Sequence, residues 1–246
     1  MGSVRTLVVL IAMEAEAAPL LEDLKLVEGQ ETPWPAALPF KHYAGSVQGA
    51  DVHVVVLGKD PTFGVDCVGT QAAAMATMAA ITAFKPDLVL NAGTAGGFKG
   101  GGCAVGEVFV GSSTAFHDRR IALPGFDVYG QCLLPCHPSD ALADHVKAKR
   151  GIISTGNSLD CPGGDVKTIV EDNGACIKEM EAASIAWTCS LFKVPFVAIK
   201  SITDIVDGDK PTHEEFMANL FAASKAIQVT TAKAIKFLVN RNVSEL

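Results

Sequence analysis

Thr6-Leu7-Val8-Val9-Leu10-Ile11-Ala12, followed at once by Met13-Glu14-Ala15-Glu16, decides the fold class. The first seven residues carry no charge and no glycine. The run is far shorter than the roughly 18 apolar residues of a membrane span. It is also too continuous for a strand with one wet face, so it reads as a strand buried on both faces. Residues 14–24, directly after it, read as a helix. The same unit recurs along the chain. Strands are expected at 52–57, 88–91, 107–111, 151–154 and 196–202. Helices are expected at 65–84, 139–149, 166–172 and 181–192. A last helix is expected to start at Thr212, where Pro211 precedes Thr212 and Glu215 in the S/T-x-x-E pattern of a capping box. Phe216, Leu220, Ile227, Ala234 and Leu238 supply its core-facing stripe. Strands alternating with helices predict an α/β fold: one domain over residues 1–246, with a mixed, mostly parallel central sheet flanked by helices.

Composition narrows the function. Of 246 residues, 49% are hydrophobic and 19% charged, enough apolar material for a large core, so a disordered chain is excluded. The net charge of -7 argues against a nucleic-acid partner, which needs a basic surface. No segment reads as a membrane span or, before Glu14 and Glu16, as a signal peptide. The cysteines at 67, 103, 132, 136, 161, 176 and 189 are scattered and odd in number. Cys132, Cys136 and His137 lack a second pair at zinc spacing, so reduced thiols in a cytoplasmic protein are expected, with no metal.

In open α/β sheets ligands sit beyond the carboxyl ends of the strands. Carboxylates gather there. Glu16 follows the first strand, Asp204 follows the last, and Glu179 and Glu181 flank Met180 ahead of a helix. Each has an ordinary structural reading. Glu16 suits a helix's first turn, Asp204 a cap or turn, and Glu179 and Glu181 a helix start. Glu14 is a control for Glu16, since residues two apart on a helix face different ways. Gly93-Thr94-Ala95-Gly96-Gly97 reads as a tight turn that lets a ligand approach the backbone. It is neither a dinucleotide fingerprint nor a P-loop.

Together, Ala12-Met13-Glu14-Ala15-Glu16, Asn91-Ala92-Gly93-Thr94-Ala95-Gly96-Gly97, Phe116-His117-Asp118, Glu179-Met180-Glu181-Ala182 and Ser201-Ile202-Thr203-Asp204 resemble the 5'-methylthioadenosine/S-adenosylhomocysteine nucleosidases of the purine nucleoside phosphorylase superfamily, in their plant-type branch. The pieces fall in family order over nearly the whole chain. The resemblance implies a nucleoside phosphorylase-like fold and hydrolysis of the N-glycosidic bond of 5'-methylthioadenosine, without a cofactor. It implies that Glu16 is the base that activates water and Asp204 the acid that protonates adenine N7. Glu181 would bind the ribose hydroxyls, with Met13 and Met180 beside the sugar and Thr94 near the ribose and the water. Lys178 and Glu179 belong to the same ligand-binding segment, Leu159 matches an adenine-stacking position, and Thr203 would orient Asp204. The family's homodimers imply that a partner loop closes the alkylthio pocket, with Leu123, Pro124 and Phe126 as candidates. Asp160 and His213 depart from the bacterial pattern, which bears on acceptance of S-adenosylhomocysteine. Three rivals stand beside this reading. A phosphorylase would need cations for phosphate, and Arg119 and Arg120 are the nearest. A storage protein of the same fold would not need the acid–base pair. A dinucleotide enzyme would need the missing glycine fingerprint.

Overall fold

The structure, a computed structural model, describes residues 2–246. In chain order its elements are β1 (Thr6–Ile11), α1 (Glu14–Leu24), β2 (Val27–Glu28), β3 (Lys41–Val47), β4 (Ala50–Val56), α2 (Thr70–Phe84), β5 (Leu88–Gly97), β6 (Val108–Phe116), α3 (Phe126–Gln131), β7 (Leu134–Pro135), α4 (Asp140–Val146), β8 (Lys149–Thr155), α5 (Gly163–Lys167), β9 (Ile177–Glu179), α6 (Ala182–Phe192), β10 (Phe196–Ile205) and α7 (Thr212–Leu238). The opening run behaves as its sequence demands. Leu7, Val9 and Ile11 point into one buried cluster with α1 and α7. Val8 and Leu10 point into a second cluster with α2 and α6. Each such side chain, fully buried, contributes about 1.5–3 kcal/mol, so β1 alone anchors both layers of helices. Among the described residues no helix is long and apolar enough to cross a membrane.

The sheet is mixed, as expected, but it also closes on itself. β5 pairs with β10 in parallel, β10 with β6 antiparallel, β6 with β8 and β8 with β9 in parallel, and β9 with β5 antiparallel. This ring of five strands carries an arm in which β1 joins β5 and leads to β4, β3 and β2. The antiparallel seams rest on β9, a three-residue strand, and on strand lengths that hydrophobic runs do not reveal.

Several expected boundaries move for identifiable reasons. Residues 65–69 are not helical, because Gly69 takes φ 92° and α2 starts after it. The helix expected over 139–149 stops at Val146, and Lys149 already opens β8. The region 166–172 divides between α5 and a π-helical turn at Thr168–Asp172. The last helix starts at Thr212, but its capping box does not form. Glu215 instead accepts a hydrogen bond from Ile205 N (2.8 Å), which ties α7 to the end of β10. Two corrections matter most for the site. Gly93–Gly97 is not a turn but the end of β5, and Asp204 lies inside β10 rather than after it. Glycines replace side chains there because neighbouring groups fill the space: a Cβ at Gly96 would lie 2.8 Å from Asp204 Oδ2.

One ion pair binds the ring across β9 and β10. Lys200 Nζ lies 2.7 Å from Glu179 Oε2, and both side chains are 1% exposed. Glu179 also accepts hydrogen bonds from the Thr155 hydroxyl and from the amides of Glu181 and Ala182 at the start of α6. Breaking a buried pair by removing one partner costs about 3–5 kcal/mol, because the other charge is stranded. Lys200→Met is therefore expected to lower the urea unfolding free energy at neutral pH by about that amount. A loss below about 1 kcal/mol would show that the pair is dispensable.

Candidate active site

A cleft of about 570 Å³ opens at the carboxyl ends of β1, β5 and β10, where the fold class places ligands. Its walls include the residues that the sequence assigned to catalysis and to binding within one chain: Met13, Glu16, Thr94, Leu159, Lys178, Glu179, Met180, Glu181, Thr203 and Asp204. They play unequal parts.

Glu16 sits in the first turn of α1 and is 4% exposed. Its Oε1 accepts from Thr94 N and from Thr94 Oγ1, both at 2.7 Å, and its Oε2 accepts from Met13 N at 3.2 Å. The helix start and the end of β5 thus hold one carboxylate in a single orientation. Oε2 has only that one long contact, so it keeps acceptor capacity for a further donor. Glu14 behaves as the control requires: it turns outward to an exposed ion pair with Lys41.

Asp204 is built differently. The β10–β5 register shifts between Ile202 and Asp204, so Thr203 is an extra residue at a bulge. A bulge re-aims the side chain beside it. The Thr203 hydroxyl donates to Asp204 Oδ1 at 2.7 Å. Oδ2 is buried and has no hydrogen-bond partner. Burial pushes the Asp204 carboxyl above the ordinary carboxylate range, against smaller opposing effects of the Thr203 hydrogen bond and Lys178. The result is a carboxyl group that takes up a proton more readily than an ordinary aspartate and has one oxygen free for a ligand.

Glu181 is the residue at the start of α6, and its Oε1 accepts from Gly69 N at 2.9 Å. Gly69 is fitted to that task, since its φ is positive and a Cβ there would meet Asn157 Oδ1 at 2.9 Å. Burial first and the neighbouring Glu179 second raise the Glu181 carboxyl above its usual range. A pair of hydroxyl donors would relieve that cost. Glu179 lies in the same wall, but its carboxylate is committed to Lys200, Thr155 and the α6 amides. Lys178 is committed too: its Nζ donates to the carbonyls of Ser158 and Leu159 (3.1 Å to the latter), which fixes the loop that carries Leu159. Both act as supports for groups that face the cleft.

Other residues fall away from it. Leu123, Pro124 and Phe126 lie on the exposed surface, outside the cleft wall. Arg120 pairs with Asp165, and Arg119 stacks on Phe116 and Tyr129. Asp160 and His213 are outside the wall as well. In the Phe116-His117-Asp118 motif, Asp118 accepts from Asn157, which in turn caps the α2 start at Thr70. The sequence reading missed Val68, Val206 and Phe216 in the wall and Lys200 behind it. Phe216 was assigned to the core stripe of α7, and helical periodicity cannot tell a core from an apolar cleft. Lys200 had a signal, a lysine inside an otherwise apolar strand, which is almost never buried without a partner.

The model of the phosphorylase superfamily matches residues 6–236. A 5'-methylthioadenosine/S-adenosylhomocysteine nucleosidase of Arabidopsis thaliana is 42% identical over 99% of this chain and 95% of its own length. A 5'-methylthioadenosine nucleosidase of the same plant is 43% identical over 99% of this chain and 91% of its own. The apo structure of an Arabidopsis thaliana 5'-methylthioadenosine nucleosidase superposes with a TM-score of 0.96, covering 99% of this chain and all of that one (100%) at 43% identity. The chain therefore belongs to the phosphorylase superfamily and, within it, to the family of 5'-methylthioadenosine/S-adenosylhomocysteine nucleosidases.

Proposed function

We propose that this protein hydrolyses the N-glycosidic bond of 5'-methylthioadenosine, releasing adenine and 5-methylthioribose for methionine salvage. The observation that carries the reading is a pair of buried carboxyl groups in one cleft with opposite preparation. Glu16 is clamped by three donors, whereas burial raises the Asp204 carboxyl above the ordinary range and Oδ2 is left unpartnered. Separating two carboxyl environments in this way separates a base from an acid.

The chemistry needs both. Adenine leaves poorly as an anion, and Asp204 supplies the proton to N7 through Oδ2. Water attacks poorly unless deprotonated, and Glu16 Oε2 takes its proton as it approaches C1'. The ribose develops oxocarbenium character as the bond breaks. Glu181 accepts hydrogen bonds from the ribose hydroxyls, and its negative charge stabilises the cationic ring. Met13 and Met180 pack against the sugar, Thr94 lies near the ribose and the water, and Leu159 covers the adenine. Thr203 holds Asp204, while Lys178 and Glu179 brace the wall.

Phosphorolysis is the rival on the same fold. A phosphate nucleophile needs a free cation. Among the described residues of the wall, the one cation is Lys178, and two of its three N–H donors already go to carbonyls, so no unengaged cation faces the cleft for a phosphate. Water as nucleophile fits that wall. Methylthioadenosine is the substrate named for both plant relatives, S-adenosylhomocysteine for one of them. The protein is further proposed to work in the cytoplasm as a homodimer, with the exposed Leu123, Pro124 and Phe126 reaching a partner's cleft.

Incubation with 5'-methylthioadenosine is expected to release adenine and free 5-methylthioribose at a rate unchanged by phosphate. Phosphate-dependent formation of a sugar 1-phosphate would establish the rival. Glu16→Gln, with folding checked by circular dichroism, is expected to lower kcat by roughly 10²–10⁴-fold. Near-normal turnover would remove Glu16 from the mechanism.

A further inference from the structure

Two cysteines meet away from the cleft. Cys103 and Cys176 are 73 residues apart in sequence, yet the Cys103 thiol donates to the Cys176 carbonyl at 3.2 Å. They meet where the β5–β9 seam ends. Phe98 N donates to Cys176 O (2.9 Å), extending the seam by one residue, and Cys103 N returns to Phe98 O (3.2 Å). Three glycines make room. A Cβ at Gly97 would lie 2.6 Å from Cys103 Cβ, one at Gly101 would lie 2.4 Å from Cys176 Cβ, and one at Gly151 would lie 2.6 Å from Cys176 Sγ. Cys176 is half-buried and lines a second surface cavity with Phe98, Gly101, Val166 and Gly174, so a small solute can reach it. Cys103 is buried behind it. Neither lines the nucleosidase cleft.

We propose that Cys103 and Cys176 form a reversible dithiol–disulfide pair, with Cys176 as the peroxide-reactive thiol and Cys103 as the resolving one. The two environments differ in the required sense. The adjacent Cys103 side chain, helped by backbone amides and by Lys149, holds the Cys176 thiol below the ordinary range despite burial. The same contact and burial push Cys103 above it. A thiolate is the nucleophile in such chemistry. The Cys176 thiolate attacks one oxygen of hydrogen peroxide, forming an S–O bond as the O–O bond breaks and hydroxide leaves. Cys103 Sγ then attacks the sulfenic sulfur. The S–S bond forms, the S–O bond breaks, and the oxygen departs as water with the thiol proton. Two thiols are oxidised, and one peroxide is reduced to two waters. The disulfide fastens the 98–103 turn to the start of β9, the strand that carries Lys178 and Glu179. It therefore acts as a redox-formed staple on the wall behind the cleft.

The test uses the full chain, reduced and then treated with stoichiometric hydrogen peroxide. The intact mass is expected to fall by about 2 Da, with one proteolytic peptide pair linked through Cys103 and Cys176, and to be restored by dithiothreitol. The thermal midpoint should rise by roughly 5 °C on oxidation. Cys103→Ser and Cys176→Ser should each abolish the link and the rise while leaving adenine release by the reduced protein unchanged. Cys132→Ser should keep both. A disulfide between other cysteines, or sulfinic acid on Cys176 without a link, would overturn the proposal.

Discussion

A single ammonium group, Lys200 Nζ, holds the active-site side of the molecule together. Burial of a lysine is costly, and the group stays charged only because carboxylates surround it. Glu179 is in contact, and Glu181 and Glu16 add their fields. The dependence runs both ways. Without Lys200, three buried acids would face one another, and like charges at short range cannot all ionise. With it, Glu179 can remain an anion, cap the first turn of α6 and set Glu181 at the edge of the cleft. The ring of strands supplies the geometry: β10 carries Lys200, β9 carries Glu179, and the β5–β9 and β5–β10 pairings fix their separation.

The same register gives the proposed acid and the proposed base different surroundings. Glu16 reaches the cleft from a helix start, where amides and a hydroxyl are available as donors. Asp204 comes from within a strand, where the backbone groups are already paired with neighbouring strands. Its one side-chain hydrogen-bond donor is the Thr203 hydroxyl, and burial outweighs the field of Lys178. Two chemically similar side chains thus meet different hydrogen-bonding surroundings because of the elements that carry them. The bulge at Thr203 is the small irregularity that turns Asp204 into the cleft.

Much of this was legible in residues alone. The buried run at β1 announced a sheet covered on both faces, and helix α1 begins and ends where its pattern said. The positions of Glu16, Asp204 and Glu181 near strand and helix ends marked the cleft, and the ordered motifs are the source of the roles proposed for them. What escaped the sequence is long-range. Glycines read as a turn are a strand's end, because their small size serves neighbouring side chains rather than the local backbone. Glu215 was assigned to a cap, yet its acceptor reaches across to β10. Lys178 and Glu179 line the cleft, as the motifs imply, but the hydrogen bonds they make to the Ser158–Leu159 loop, Lys200 and Thr155 could not be read locally. Pairings such as β5 with β9 and Lys200 with Glu179 are decided by tertiary contacts that local propensity does not encode.

The central claim is that Asp204 protonates the leaving base while Glu16 acts on the water. Leaving-group dependence separates these roles directly. The measurement is kcat/KM for Asp204→Asn and for the unaltered protein, on 5'-methylthioadenosine and on the p-nitrophenyl glycoside of 5-methylthioribose, whose leaving group needs no proton. The account predicts that Asp204→Asn loses roughly 10²–10⁴-fold on the nucleoside and little on the nitrophenyl glycoside. An equal loss on both substrates would contradict it, and would make Asp204 a binding or structural residue instead of the acid.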